Sequence, residues 1–453
     1  MLRKRIIKEV KKYFLIVVLL LVGLAFRLLL SPYGNHIDLI INTGWGNWLW
    51  ENGPKNFYTN NVWIYAWPTQ LPLINSIYSF NFDIYEQVLW YIAYFGEVIV
   101  THHIFPDYFT WLINLRKWFG TDLYQVTPFT NGLLVSMKII PIVVDILTAS
   151  MIYIFGMRLL TSKKSLAITA MFLIMPFTWY ESALWGQYDQ LSSLMVLLAF
   201  FILFWKQIGF ARFLISPVIL VLAFQIKPTV LFLIPFYCVV YLIQKPRMQN
   251  FFLGIVASVL AFYLTFKPFV VGNFTGYIVD HIYPAVFNND RYGLVNHAFN
   301  FWQLLYPRGG WSTTVTLFGI KALYWGIFFW FIFMALGVKV FLKHRSFKAL
   351  LVSLMLISGG SYVFMTGMVD RYYYLTAITM IMLLGYYPRL AVYVITSLVL
   401  FSINLVYTWG YPIIPIGAVW NNNLLIQLFS LLQTLTFIVV SKKLISQNLG
   451  RHA

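Results

Sequence analysis

Long apolar runs recur along most of this chain, and they constrain its fold more than any other feature. A run of about 20 apolar residues crosses the hydrocarbon core of a bilayer as an α-helix. Hydrophobic residues make up 60% of the 453 residues, while charged residues make up 10%. A soluble protein cannot bury that much apolar surface, so the sequence predicts an all-α polytopic membrane protein.

The apolar runs predict about twelve transmembrane helices in a single domain that covers residues 1–453. The predicted spans are 13–31, 130–157, 164–181, 190–205, 213–225, 229–244, 250–269, 313–340, 348–366, 372–387, 390–408 and 423–441. A long first exterior loop, residues 32–129, follows the first span, which we expect to remain uncleaved. Within it, residues 72–110 contain several acids and predict interfacial helices or a re-entrant hairpin.

The charged residues predict the orientation of the chain. The two termini and the segments between spans that this arrangement places in the cytoplasm together contain most of the 32 Lys and Arg residues, and Glu9 is the one acid among them. Such a bias is typical of cytoplasmic loops. We therefore expect a multi-pass protein of the cell membrane with both termini cytoplasmic. The net charge of +18 is then a topology signal, with membrane lipids as partners and no nucleic acid.

Cysteine and histidine give no sign of a metal site or a cofactor. Cys238 is the only cysteine, so an intramolecular disulfide is excluded. The neighbouring His102 and His103 point apart on a regular backbone and form a poor chelate. The 7 histidines follow no spacing that is typical of zinc sites. We expect neither a metal nor a cofactor.

The first exterior loop contains an acid close to the membrane. Asp38 lies a few residues beyond the first span, ahead of Trp45, Trp48 and Trp50. Acids at such positions are functional candidates, because partial loss of hydration changes their chemistry. The alternative is an interfacial Asp that caps the next helix, beside tryptophans of an ordinary interface belt.

A short polar turn joins the third and fourth predicted spans. It reads Trp185, Gly186, Gln187, Tyr188 and Asp189. Amide and carboxylate groups can hydrogen-bond sugar hydroxyls, and an aromatic ring can stack on a sugar face. The alternative is a plain helix start that Asp189 caps.

Two cations run against the orientation bias, because the predicted arrangement places Lys227 and Arg371 on the exterior. Each lies at the mouth of a span, where it can bind an anionic head group, and Arg suits bidentate phosphate binding. The alternative for Lys227 is an ordinary helix start at Pro228. The alternative for Arg371 is a local ion pair with Asp370.

Two further pairs of polar residues are candidates. His297 and Asn300 lie in an aromatic exterior loop, where binding of a polar head group and aromatic anchoring are equally compatible with the sequence. Lys138 and Asp145 are seven residues apart in the second span and share one helix face. Because buried ionisable residues usually pair, we expect Lys138 and Asp145 to be structural supports.

Several of these motifs, in this order, resemble the GT-C membrane glycosyltransferases that use polyprenyl- or dolichyl-phosphate sugars, especially the mannosyltransferase-like members. The matching residues are Asp38, Trp45, Gly53-Pro54, Phe57-Tyr58, Lys138, Pro141, Asp145, Trp185 to Asp189, Lys227-Pro228 and His297 to Trp302. The similarity covers roughly residues 10–380. The chain departs from the family where His-Glu-Arg-Tyr is replaced by Val369-Asp370-Arg371-Tyr372.

The resemblance implies a transferase with an inverting mechanism, in which Asp38 is the catalytic base and Lys227 and Arg371 bind the donor phosphate. Trp185, Gln187, Tyr188, Asp189, His297, Asn300 and Asp370 would contact substrate. The donor would be a polyprenyl-phosphate sugar, and the acceptor a glycan, lipid or protein on the exterior.

Two other classes of function are compatible with a membrane protein of this kind. A lipid-linked sugar transporter, or flippase, would need polar residues through the membrane midplane and on both faces. In this sequence the acids are concentrated in the predicted exterior segments. A scaffold for envelope enzymes would not need clustered Asp, Lys and Arg residues.

The predicted topology can be tested with single cysteines at Asn56, Asn288 and Ser446 in a chain whose Cys238 has been replaced. An impermeant thiol reagent applied to intact cells should label the first two positions and spare the third. Labelling of Ser446, or of Asn56 without Asn288, would contradict the shared exterior location.

Overall fold

The computed structural model describes residues 2–31, 37–55, 57–58, 71–89, 128–283, 293–307, 315–409 and 422–449. Within these ranges the protein is almost entirely helical, and its strands are two residues long. The α-helices of the described ranges are α1 (Leu2–Leu30), α2 (Ile37–Asn52), α3 (Pro72–Ile84), α4 (Pro128–Leu159), α5 (Ser162–Ile174), α6 (Pro176–Trp179), α7 (Asp189–Phe204), α8 (Arg212–Ile226), α9 (Ile234–Ile243), α10 (Met248–Phe266), α11 (Phe274–Tyr277), α12 (Phe301–Leu305), α13 (Ala322–His344), α14 (Phe347–Phe364), α15 (Tyr374–Leu384), α16 (Ala391–Trp409) and α17 (Asn423–Leu449).

Short strands and tighter or wider helical turns connect these helices. The strands are β1 (Val295–Asn296), β2 (Thr316–Leu317), β3 (Ile320–Lys321) and β4 (Met368–Val369). The 3₁₀-helices are Lys206–Ala211, Pro228–Leu233, Lys267–Phe269, Asp370–Tyr373 and Pro388–Leu390. The π-helical turns are Tyr85–Leu89, Tyr180–Trp185 and Ile278–Ile282.

The helices are consistent with a membrane protein that crosses the bilayer several times. In the described part of the chain, 7 helices are long and apolar enough to cross a membrane, or 8 if a bent pair is one span. A helix lies in every predicted span, and the described part of the chain also contains three shorter apolar helical segments, Phe14–Leu30, Asp189–Phe204 and Pro228–Ile243. The all-α membrane architecture is thus confirmed in its coarse form, and the count of about twelve crossings stays a prediction.

One predicted boundary is wrong. The predicted span 313–340 begins too early, because residues 316–321 form a β-hairpin in which Thr316 pairs with Lys321. The turn contains Gly319 at a φ of +76°, a conformation that favours glycine. The helix α13 therefore begins only at Ala322. Apolar residues in the hairpin made this segment look continuous with the span.

A sharp bend interrupts the predicted span 164–181. The segment Pro176–Trp185 is inclined by 51° to α5. Met175, the residue before Pro176, has an extended ψ of 129°, because proline disfavours the helical region for its predecessor. The bend leads into the π-helical turn Tyr180–Trp185, whose six residues are all buried.

The first exterior loop contributes a helix to the packed structure. Of the region predicted as interfacial, residues 72–89 are described, and 90–110 lie outside the described residues. The helix α3 packs against α2 and α4. The Oγ of Ser136 in α4 donates to the backbone oxygen of Asn81 at 2.5 Å. This part of the loop is therefore fixed to the helix bundle.

A buried ion pair fixes the first helix to the bundle. The Nε of Arg27 donates to Oδ2 of Asp145 at 2.8 Å, and both side chains are fully buried. The same guanidinium donates to Thr178 Oγ1 at 2.8 Å. The hydroxyl of Tyr374 donates to the other oxygen of Asp145 at 2.7 Å. Asp145 thus pairs with Arg27 of the first helix.

We predict that Arg27→Met destabilises the protein more than the double variant Arg27→Met/Asp145→Asn. Removing one member of a buried ion pair leaves an uncompensated charge and costs about 3–5 kcal/mol, whereas removing both charges costs less. The measurement is the unfolding temperature of the purified proteins in detergent. A single variant as stable as the double variant would show that Asp145 does not depend on Arg27 for its charge.

Candidate functional site

Four segments that are distant in sequence meet at one end of the helix bundle. Asp38 lies in the first turn of α2, and Asp189 is the first residue of α7. Lys227 separates α8 from the following 3₁₀-helix, and Arg371 lies in the 3₁₀-helix between β4 and α15. Each of these positions is a helix end, where the chain can present a charged side chain without breaking a helix.

Arg371 is the centre of this cluster. Its Nη2 lies 3.8 Å from Asp38 Oδ2, its Nε lies 3.4 Å from Asp189 Oδ2, and its Nη1 lies 3.5 Å from Asp370 Oδ1. The guanidinium carbon lies 5.2 Å from the centroid of the Trp185 ring, within the range of a cation–π contact. The local pair with Asp370 is therefore present, but it is one of three ion pairs.

The pKa of Arg371 reflects these neighbours. Burial alone lowers the pKa of the guanidinium, but the negative charges of Asp38, Asp189 and Asp370 outweigh it and raise the pKa above its ordinary value. The group therefore keeps its positive charge at any biological pH. This gives the site a fixed cation.

Asp189 connects the two cations. Its Oδ2 lies 3.0 Å from Lys227 Nζ as well as 3.4 Å from Arg371 Nε. The N-cap position of α7 is Tyr188, and no side chain caps this helix end. The alternative in which Asp189 simply caps the helix is therefore wrong, and its carboxylate faces the cations.

Asp38 is the most accessible acid of the cluster. Its side chain is 29% exposed, against 6% for Asp189 and 0% for Asp370. Gln187 Nε2 donates to Asp38 Oδ2 at 2.8 Å and orients the carboxylate. The predicted residues Asp38, Gln187, Asp189, Lys227, Asp370 and Arg371 thus share one site.

A cavity of about 540 Å³, which includes space open to solvent, lies beside the cations. It is bounded by α7, the segment Lys227–Leu233, α14 and the turn around Arg371. Hydroxyl groups supply much of its polar lining: Ser192, Ser193, Thr229, Ser358, Ser361, Tyr362, Tyr372 and Tyr374. The cavity therefore combines an ionic end with a hydroxyl-rich wall.

The polar turn before α7 packs closely against α2 and α4. Gly186 has a φ of +76°, and a Cβ there would lie 3.0 Å from Leu39 Cδ1 and 3.1 Å from Lys138 Cγ. Lys138 is buried, and its Nζ donates to the backbone oxygen of Ser31 at 2.8 Å. Lys138 thus contacts the backbone just after α1, and its alkyl stem packs under the turn.

The turn around Arg371 is positioned by a short parallel strand pair. In it Val295 of β1 pairs with Met368 of β4, and Asn296 pairs with Val369. The backbone N–H of Gly367 also donates to the oxygen of Leu294 at 3.0 Å. The loop that precedes α12 therefore fixes the backbone two residues before Arg371.

His297 and Asn300 lie in that loop and support it. The backbone oxygen of His297 accepts from Asn404 Nδ2 at 2.6 Å, and burial lowers the pKa of its imidazole to about 4. Asn300 is fully buried, and it caps α12 by accepting from the N–H of Gln303 at 3.0 Å. Its amide donates to the backbone oxygen of Tyr362 at 3.2 Å. These contacts are structural, and neither residue lines the cavity.

Trp185 and Tyr188 are buried beneath the site. The hydroxyl of Tyr188 donates a hydrogen bond to the backbone oxygen of Met137 at 3.2 Å, and it accepts one from Asn81 Nδ2. Its ring packs edge-on against Tyr78. Trp185 supports Arg371 through its ring face. The structure therefore places both aromatics as supports of the turn.

Glu181 is a charged residue at this site that the sequence did not single out. It is fully buried, and its carboxylate oxygens have no hydrogen-bond partner among the described residues. It interacts electrostatically with Asp189, Lys227 and Arg371. Its backbone oxygen accepts the N–H groups of Gly186 and Gln187 at 2.9 and 3.0 Å. An acid inside an apolar stretch was the signal that could have identified it.

Comparison with known proteins gives no family for the chain. No protein-family model matches it, and no curated protein matches its sequence. Within the described ranges, no group of three or more His, Cys, Asp and Glu residues could hold a metal ion. The arrangement of acids and cations is therefore the basis for inferring what the site does.

We predict that Gly186→Ala lowers the unfolding temperature in detergent more than Gly53→Ala does. Both glycines have a positive φ, +76° and +73°, so both substitutions cost about 1–2 kcal/mol of backbone strain. At Gly186 the new Cβ also presses on Leu39 and Lys138, whereas no atom of the described residues lies within 4 Å of a Cβ at Gly53. Equal losses at the two positions would contradict a tight contact beneath the turn.

Proposed function

We propose that this protein is an integral membrane glycosyltransferase of the GT-C type. It transfers a hexose, mannose-like as in the family it resembles, from a polyprenyl-phosphate donor to an exterior acceptor with inversion. The main support is one observation: Arg371 lies within 4 Å of both Asp38 and Asp189, and Asp189 also contacts Lys227. Residues from four distant segments thus form one site that contains a base and two cations.

The two cations suit the phosphate of the donor. The side chains of Lys227 and Arg371 are only 10% and 11% exposed, and both line the cavity. Fixed cations in a poorly hydrated site stabilise the negative charge that develops on a leaving phosphate, without any need for a general acid. The guanidinium can also bind two phosphate oxygens at once.

Asp38 suits the role of base. Its carboxylate is partly exposed, so an acceptor hydroxyl can reach it from outside, and Gln187 holds one of its oxygens. In an inverting displacement the acceptor oxygen attacks C1 of the sugar while Asp38 takes the proton. Positioning and proton removal of this kind contribute about 10²–10⁴-fold to a rate.

The cavity suits the sugar. Its serine, threonine and tyrosine hydroxyls can hydrogen-bond sugar hydroxyls near the phosphate-binding cations. Exposed apolar helices of the bundle, such as α10, provide a surface for the polyprenyl tail. The acceptor is a glycan, lipid or protein, and the site faces the exterior of the cell membrane.

A lipid-linked sugar transporter is the second candidate. The observation that favours it is the position of Ser358 and Ser361, which belong to α14 and line the cavity. The helix α14 is largely buried in the bundle. A polar cavity against a central helix is a feature of transporters. A transporter would move its lipid substrate without any proton transfer to Asp38, so Asp38→Asn would leave transport intact.

The decisive experiment is a transfer assay with purified protein in detergent, in which synthetic polyprenyl-phosphate hexose is compared with nucleotide hexoses at equal concentration. Asp38→Asn should lower transfer by at least about a hundredfold, because the amide keeps the size of the side chain and loses its basicity. If a folded Asp38→Asn variant turned over at nearly the wild-type rate, Asp38 would not be the catalytic base.

The same assay tests the donor site. Arg371→Lys should be damaging, since a planar fork is replaced by a point charge, and Lys227→Gln should mimic part of the loss. Efficient use of a nucleotide sugar, or full activity in Arg371→Ala, would overturn the proposed donor class.

A further inference from the structure

The position proposed for the donor phosphate is already occupied by a negative charge of the protein itself. A single oxygen, Oδ2 of Asp189, lies 3.0 Å from Lys227 Nζ and 3.4 Å from Arg371 Nε. All three side chains line the same cavity. A phosphate that enters the cavity to bind these two cations must therefore share them with Asp189 or displace it.

The other acids of the cluster are placed differently. Asp370 is fully buried and accepts the backbone N–H of Arg371 at 2.9 Å, so it is fixed beside the guanidinium. Asp38 Oδ2 lies farther from Arg371, at 3.8 Å from Nη2, and it also accepts a hydrogen bond from Gln187 Nε2. Among these three acids of the described site, Asp189 alone forms an ion pair with both cations.

We propose that Asp189 is an internal counter-ion that competes with the phosphate group of the lipid substrate for Lys227 and Arg371. This inference rests on the proposed function, because it takes a lipid-linked phosphate as the ligand of the two cations. In the absence of substrate, Asp189 forms the one ion pair of Lys227 among the described residues and one of the three ion pairs of Arg371. Leaving a buried cation without such a partner is costly. When the phosphate binds, the carboxylate gives up these contacts and can accept hydroxyls of the sugar instead.

The competition between Asp189 and the phosphate matters most after the sugar has been transferred to the acceptor. The acceptor oxygen forms a bond to C1 of the sugar, its proton passes to Asp38, and the bond between C1 and the phosphate oxygen breaks with its electron pair remaining on the phosphate. The donor phosphodiester has one negative charge, whereas a phosphate monoester carries about −1.5 to −2 at pH 7. The product is therefore attracted to the two cations more strongly than the donor is.

Asp189 counteracts this retention of product. As the polyprenyl phosphate leaves, the carboxylate returns to Lys227 and Arg371, so the two cations never lose their negative partner. With an uncharged side chain at position 189, no carboxylate that contacts both cations would compete with the bound phosphate. Binding of the product should then be tighter and its release slower.

The test is the binding of polyprenyl phosphate, without sugar, to the purified full-length protein in detergent. Asp189→Asn should bind it about tenfold more tightly than wild type, as expected when one partly screened charge contact no longer competes. In the transfer assay, the same variant should show stronger inhibition by added polyprenyl phosphate and a lower kcat. Asp280→Asn is the matched control, because it removes one exposed acid outside the site and should change neither quantity.

Three outcomes are informative in different ways. Weaker or unchanged binding in Asp189→Asn would overturn the inference and show that Asp189 only holds the cations in place, while the proposed function would stand. If Asp189→Asn does not fold, Asp189→Ser carries the same expectation of tighter binding. Failure of the wild-type protein to bind polyprenyl phosphate would overturn the proposed donor class and the inference together.

Discussion

The charge of Arg371 is the feature on which the candidate site depends. Three carboxylates, those of Asp38, Asp189 and Asp370, lie within 4 Å of its guanidinium. Acids this close together repel one another, and a cation between them offsets that repulsion. Arg371 therefore holds α2, α7 and the turn before α15 in one place.

The sequence predicted the parts of the site that have a local signal. Lys227 and Arg371 stood out because they break the charge bias of the predicted topology, and Asp38 stood out because it follows a membrane span. The helical architecture followed from the long apolar runs in the same way. The hairpin at residues 316–321 was not predicted, because Leu317, Phe318 and Ile320 extend the apolar run of the adjoining helix.

Long-range pairing accounts for what the sequence did not predict. The sequence placed Lys138 and Asp145 on one helix face, but the acid pairs with Arg27, which is 118 residues away. Helix periodicity indicates which residues of one helix share a face, whereas the choice of partner depends on how separate helices pack. The structural roles of His297 and Asn300 have the same origin: their partners Asn404 and Tyr362 come from later helices. A polar residue within an aromatic loop looks the same in sequence whether it binds a ligand or a neighbouring backbone.

The pair between Arg27 and Asp145 has a consequence for how the protein is made. A ribosome adds about 5–20 residues per second, so the 118 residues between the two take roughly 6–24 s to synthesise. During that interval α1 contains an arginine near its end whose counter-ion does not yet exist. Placing such a charge in hydrocarbon is unfavourable, by about 2.5–3.5 kcal/mol at the centre of a helix. The buried ion pair between Arg27 and Asp145 can therefore form only after α4 has been synthesised. Assembly of this membrane protein thus has a built-in order, in which the first segment to be translated is completed by a later one.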